Sequence, residues 1–213
     1  MKSLDRLIDR ILSNPWVYRL HSFFVNREKA RAIRTIRADF AGAAVLSVGC
    51  GPGCDAPLFP GAHYTGVDIS PRYIAVARKR YSNLRFLAGD AETVGLPDRF
   101  DVILINSLLH HIADGKAANV LRNLVEMLEP GGTVIVQEPL TPAPGEWYHR
   151  LMQRLDRGKF FRPVEDWRRL FLAAGLEEEK SARYELRILG KPGYHMISLV
   201  LAPLGQSSEV PKV

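Results

Sequence analysis

A glycine turn, a series of acids and a histidine pair carry the chemistry legible in this chain. Gly49, Gly51 and Gly53 alternate with Cys50 and Pro52 directly after the apolar run Val45-Leu46-Ser47-Val48. Glycines let a backbone adopt conformations a Cβ would forbid and approach a ligand closely. Their N–H groups could receive a carboxylate or approach a ribose. Asp68, in Gly66-Val67-Asp68-Ile69-Ser70, ends a second apolar run, where a carboxylate can accept from both hydroxyls of a ribose. Gly89-Asp90-Ala91-Glu92 follows a third run. There Asp90 could accept from an adenine amino group and the N–H of Ala91 could donate to the ring, with Ile69 covering one face of the base.

A glycine turn followed by an acid also suits a dinucleotide, so the spacing has to decide. The dinucleotide fingerprint is G-x-G-x-x-G, with its last glycine easing helix against strand and the helix N-terminus facing pyrophosphate. Here position 54 is Cys, and the turn runs into Asp55, an acid where pyrophosphate would want none. An acidic cradle suits a ligand bearing an ammonium or sulfonium cation. The two cysteines, Cys50 and Cys54, stand in a C-x-x-x-C spacing without a second ligand pair, which does not make a zinc site. No residue is put forward as a metal ligand.

These groups need a scaffold that brings several strand ends together. Strands are expected near Val45–Val48, Tyr64–Val67, Leu84–Ala88, Phe100–Ile105 and Thr133–Gln137. Helices are expected from Ser70-Pro71 to Tyr81 and from Lys116 to Leu128, the second stopped by Pro130-Gly131-Gly132. Ser70 reads as an N-cap with Pro71 at the first helical position. Residues 165–174 form a further helix ended by Gly175, and strands near 177–184 and 195–202 pair antiparallel. Such alternation argues an α/β fold, a doubly wound parallel sheet. Residues 1–40 read as an N-terminal helical extension with helices at 3–13 and 16–24, serving as sheet-edge packing or as a lid. Residues 41–213 form the main domain, interrupted by a substrate-side insert at 139–163.

The chain has 213 residues, ample for one domain and its additions, with ordinary apolar (46%) and charged (24%) fractions for a globular protein. Neither a signal peptide nor an apolar run of about 20 residues is expected, and the cytoplasm is the compartment that suits two free cysteines. The net charge of +6 is uneven: residues 1–40 carry nine basic against four acidic residues, 41–140 eight against ten, and 141–213 twelve against nine. Basic flanks could attract an anionic substrate, nucleic acid, or the surface of an anionic membrane in peripheral contact. Solvated helix faces are the default explanation.

VLSVGCGPG (45–53), GVDIS (66–70), GDAETVGLPDRFDVILINSLLHHI (89–112) and LEPGGTVIVQEP (128–139) together resemble the class I S-adenosylmethionine-dependent methyltransferases of the small-molecule type. The resemblance implies a Rossmann-like seven-stranded sheet with its last strand antiparallel. It implies S-adenosylmethionine as donor and S-adenosylhomocysteine as product. Gly49, Cys50, Gly51 and Gly53 would lie near the methionine end, Asp68 and Ile69 at the ribose and base, Asp90 and Ala91 at adenine, and Asn106 beside the methionine portion. The reaction implied is an in-line displacement onto a small-molecule or lipid-like acceptor. His110 or His111, just after the fourth strand, could serve as general base to a hydroxyl acceptor, or act in loop packing. Tyr18, His21, Trp147, Tyr148 and His149 are candidates for the acceptor pocket, with core packing the default for aromatics. RNA as acceptor is a competing reading, set against the absence of a recognisable RNA-binding module; a non-catalytic donor-binding module is a third. The acceptor, the atom methylated and the oligomeric state are not specified at this level.

Overall fold

Runs of apolar residues at single-residue alternation place side chains on both faces of a sheet, so each face needs a covering layer. The computed structural model, which describes residues 28–35, 39–156, 158–188 and 191–206, satisfies this with seven strands. They are β1 (Ala44–Val48), β2 (His63–Asp68), β3 (Arg85–Ala88), β4 (Phe100–Asn106), β5 (Leu128–Pro139), β6 (Leu176–Ile188) and β7 (Lys191–Pro203). Their order is β3-β2-β1-β4-β5-β7-β6. The first five are parallel, and β7 inserts antiparallel between β5 and β6. The sheet therefore has the expected seven-stranded form. Strand order reverses between β1 and β4, which opens a crevice at their carboxyl ends.

The two layers follow from β4. Ile103 and Ile105 point to one face and pack with Val120, Leu121 and Leu124 of α3 (Asp114–Val125) and with Trp167 and Phe171 of α5 (Val164–Ala173). Val102 and Leu104 point to the other, with Ile33 of α1 (28–35) and Ile74 and Ala77 of α2 (Pro71–Arg80). Each fully buried Leu or Ile contributes about 1.5–3 kcal/mol. Ser70 caps α2 as expected, its hydroxyl accepting from Tyr73 N at 3.3 Å, with Pro71 opening the helix. The insert contains a further helix, α4 (Trp147–Leu155).

Two expectations change. The helix expected to reach Leu128 ends at Val125, and Leu128 instead pairs with Phe100 as the first residue of β5. Pro130-Gly131-Gly132 does not stop a helix. It lies within β5, where the register shifts between Phe100 and Val102. Leu128 satisfies a helical stripe and a strand face equally well, so periodicity could not assign it. The basic stretch that includes residues 28–35 is not simply a solvated face either. α1 lies across the sheet, burying Ile33 and Lys29. The helices expected at 3–13 and 16–24, with Tyr18 and His21, lie outside the described residues.

Gly66 marks a close approach within β2: a Cβ there would come within 2.7 Å of the Phe86 ring and 2.8 Å of Cys50 Sγ. Both neighbours are buried. Gly66→Ala is expected to destabilise the fold by about 1–3 kcal/mol, read from the midpoint of a urea titration. An unchanged midpoint would mean that the turn and Phe86 shift freely.

Candidate active site

The carboxyl ends of β1, β2 and β3 and the loop after β4 enclose a cleft of about 430 Å³. Val48 and Gly49 contribute from β1, Asp68 and Ile69 from β2, and Asp90 and Ala91 from the turn after β3. Leu108, His111 and Ile112 come from the loop after β4, and Phe160 arrives from the insert. Ile69 is 70% exposed, an apolar side chain held at the mouth. Acids dominate the polar lining: Asp68, Asp90 and Glu92, with Lys116 3.4 Å from Glu92.

The glycine turn does not offer the donors expected of it. Gly49 N and Cys50 N both donate to Val67 O, at 2.8 and 3.0 Å, and Gly53 N donates to Cys50 O. Gly51 N donates to Asp68 Oδ2 at 2.9 Å. Gly49, Gly51 and Gly53 all have positive φ, so the turn closes on itself and on β2. Gly49 lines the cleft by lacking a side chain; a Cβ there would lie 3.2 Å from Leu108. Cys50, Gly51 and Gly53 are buried behind the cleft wall. Asp68 is the pivot, since its second oxygen accepts from Ser70 N at 2.8 Å. Asp90 is held similarly, its Oδ1 accepting from Glu92 N at 2.9 Å.

Asn106 lies elsewhere. Strand alternation sends its side chain to the α1 face, where Nδ2 donates to Asp55 Oδ1 at 2.8 Å. Asp55 is turned inward, so it forms no part of an acidic cradle in this cleft. Ser47 completes the buried cluster, and Lys29 Nζ donates to Ser107 Oγ at 3.0 Å. Burial raises the Asp55 pKa, against Lys29 and the hydrogen bonds from Asn106 and Ser47. Burial likewise lowers that of Lys29, against Asp55 and Glu138.

The histidine pair divides. His111 lines the cleft. His110 is 2% exposed, with Nδ1 2.7 Å from Glu138 Oε2 and Nε2 3.4 Å from Asp156 Oδ1. Burial alone would depress its pKa, but the charge of Glu138 and its contacts with Asp156 and Glu138 outweigh this and push it up to about 9. Burial would raise Asp156, yet His110 holds that carboxyl well below the usual range. An imidazolium with a carboxylate at each nitrogen cannot act as general base near neutral pH, so that role leaves His110.

Glu138 is a functional residue that sequence reasoning missed. From the end of β5 it accepts from Leu108 N, Leu109 N and His110 N, which fixes the loop carrying Leu108 and His111. Lys159 N and Phe160 N both donate to His110 O, seating the insert against the same loop. A Cβ at Gly158 would fall 2.1 Å from the His110 ring. Arg162, also missed, is buried and donates to the carbonyls of Leu109, Ile112 and Phe160 and to Asp114. Trp147 and Tyr148 do not line this cleft; Trp147 is 73% exposed on α4. A Q-E-P sequence closing a buried strand was the available signal for Glu138, since a buried acid requires partners.

A parallel sheet with a carboxylate at the second strand end and a glycine turn at the first defines a nucleoside-binding α/β protein. A family profile described as "Methyltransferase domain" matches residues 45–132. The chain is 34% identical over 163 residues to a ubiquinone biosynthesis O-methyltransferase of Pseudomonas putida, covering 66% of this chain and 67% of that one. It is 35% identical over 102 residues to a demethylmenaquinone methyltransferase of Chlorobaculum tepidum, covering 46% and 41%. It spans about half the length of several curated relatives it matches. The solved structure of human N-acetylserotonin methyltransferase in complex with SAM superposes with a TM-score of 0.68 at 22% identity, covering 90% of this chain and 57% of that one. The chain belongs to the class I S-adenosylmethionine-dependent methyltransferases.

The buried clamp predicts a pH dependence. Because the folded pKa of His110 lies above its ordinary 6.5, its stabilisation is complete below pH 6.5 and is lost as pH rises through about 9. Urea titrations across that interval should show a fall of roughly 3 kcal/mol, and His110→Gln should abolish most of the slope. An equal slope in that variant would place the titration elsewhere.

Proposed function

We propose that this chain transfers a methyl group from S-adenosylmethionine to a small-molecule acceptor with an apolar, lipid-like body. The observation that carries the reading is the convergence of Gly49, Asp68, Ile69 and Asp90 in one cleft. When bound, the donor supplies a methyl group already activated on a sulfonium. Asp68 would accept from the ribose hydroxyls. Asp90 would accept from the adenine amino group, Ala91 N would donate to the ring, and Ile69 would cover the base. The residue types fit: glycine permits close approach at position 49, and the acidic lining favours a cation.

The remaining lining, with Leu108, Ile112, Val120 and Phe160, is apolar and excludes water from the reacting groups. His111 is the side chain left to accept a proton from a hydroxyl acceptor, held in place by the loop that Glu138 caps. Two relatives, a demethylmenaquinone and a ubiquinone biosynthesis methyltransferase, support a quinone-type aromatic acceptor. Among the described residues no helix is long and apolar enough to cross a membrane.

The test is product formation. The chain incubated with S-adenosylmethionine and a panel of aromatic hydroxyl compounds, reduced quinones included, should yield S-adenosylhomocysteine by mass spectrometry. Donor binding without product across the panel would favour a non-catalytic module, and turnover on RNA that collapses with added salt would favour that acceptor instead. Asp68→Ala should weaken S-adenosylhomocysteine binding by about 1.5–3 kcal/mol in calorimetry, with melting curves confirming a folded variant. Unchanged affinity would remove Asp68 from the ribose role. His111→Ala should lower kcat while leaving product affinity nearly intact; undiminished kcat would exclude it as base.

A further inference from the structure

A second group of ligating side chains lies outside the cleft. Glu146 immediately precedes α4 and His149 stands in its first turn, while His195 lies on β7 and Glu185 opposite it on β6. The ligand atoms of Glu146, His149 and His195 all fall within 4.8 Å of one another. His195 Nε2 is 2.7 Å from Glu146 Oε1, and His149 Nε2 is 3.7 Å from Glu185 Oε1. The two imidazoles stack with centroids 4.2 Å apart at 20°. His149 Nε2 is buried and has no hydrogen-bond partner.

An ion-pair network explains this arrangement poorly. Two stacked imidazolium rings at this distance would repel by a few kcal/mol at a partly buried site. Leaving one ring neutral strands a buried nitrogen, which is what His149 Nε2 displays. A divalent cation removes both difficulties, because two neutral imidazoles and two carboxylates balance its charge. The separations present bracket the spacing of about 3.3 Å between donors around a tetrahedral zinc with bonds of about 2.0–2.1 Å. Nitrogen and oxygen donors of this mixture suit zinc-class ions over calcium or magnesium.

We propose that Glu146, His149 and His195 bind a zinc-class divalent metal, with Glu185 beside His149 as the nearby second carboxylate, and that the metal staples α4 to the β6–β7 hairpin. The staple has a purpose in the fold. No α4 residue is fully buried, so packing alone anchors the helix weakly. The segment it begins supplies Asp156 to the His110 clamp and Phe160 to the cleft. Metal binding thus orders the insert through ligands that make no contact with the donor cleft, and the inference stands apart from the reading of that cleft.

Untagged full-length chain, stripped with chelator, is titrated with Zn²⁺ in calorimetry and with Co²⁺ in visible absorption. One tight site per chain is expected, with a rise in melting temperature on Zn²⁺ addition and Co²⁺ d–d bands of four-coordinate intensity. His149→Gln and His195→Gln should each weaken binding by more than about tenfold. His111→Ala, which disrupts the other grouping within ligand distance (His110, His111 and Asp156), should leave it unaltered. Circular dichroism of the metal-free variants checks folding, and Glu146→Gln, at the residue before α4, serves if a histidine variant does not fold. No saturable binding at micromolar metal, binding indifferent to all three substitutions, or binding lost in His111→Ala would each overturn the proposal.

Discussion

A buried imidazolium clamped between two carboxylates governs the geometry around the cleft. His110 sits between Glu138, at the end of a central strand, and Asp156, on the insert. Gathering two buried charged groups and a half-buried third is costly, and it succeeds here because nearly every acceptor is answered. Glu138 also takes three backbone N–H groups, and Asp156 takes that of Gly158. The clamp thereby joins two chain segments whose apolar side chains, Leu108 and Phe160, face the same cleft. Arg162 reinforces the joint by donating to the carbonyls of Leu109, Ile112 and Phe160, with its guanidinium 4.5 Å from the centre of the Trp167 ring.

The opposite wall is built on a single carboxylate. Asp68 holds the glycine turn through Gly51 and the start of α2 through Ser70, so the ends of β1 and β2 move together. Its carboxylate therefore shapes the wall and also presents charge to the cleft. This explains how a turn whose own N–H groups are engaged internally can still border a ligand site: close approach, and not donation, is what its glycines permit.

Beneath that wall, on the other face of the sheet, a second polar cluster of Ser47, Asp55, Asn106, Ser107 and Lys29 ties α1 to the core. Gln137 joins it by donating to the carbonyl of Lys29. The division follows from strand geometry. Ile105 and Asn106 are neighbours in sequence, yet successive strand residues face opposite layers, so one meets α3 and the other lies beneath α1.

Much of this protein was determined by local pattern. Unbroken apolar runs defined the strands, Ser70-Pro71 defined a helix start, and the order of strands and helices defined a doubly wound sheet, because these depend on periodicity and on the chemistry of adjacent residues. The placement of Asp68, Ile69, Asp90 and Ala91 in the cleft was legible for the same reason, each lying at or just past a strand end. Only tertiary structure decided the partners. His110 and His111 are adjacent and chemically identical, but one meets Glu138, 28 residues away, and becomes a buried cation, while the other faces the cleft. Asn106 and Asp55 meet across 51 residues, and the grouping of Glu146, His149 and His195 draws on the start of a helix and a distant strand. Charge state and ligation depend on distance in space, and spacing along the chain carries that information only when the contacts are local.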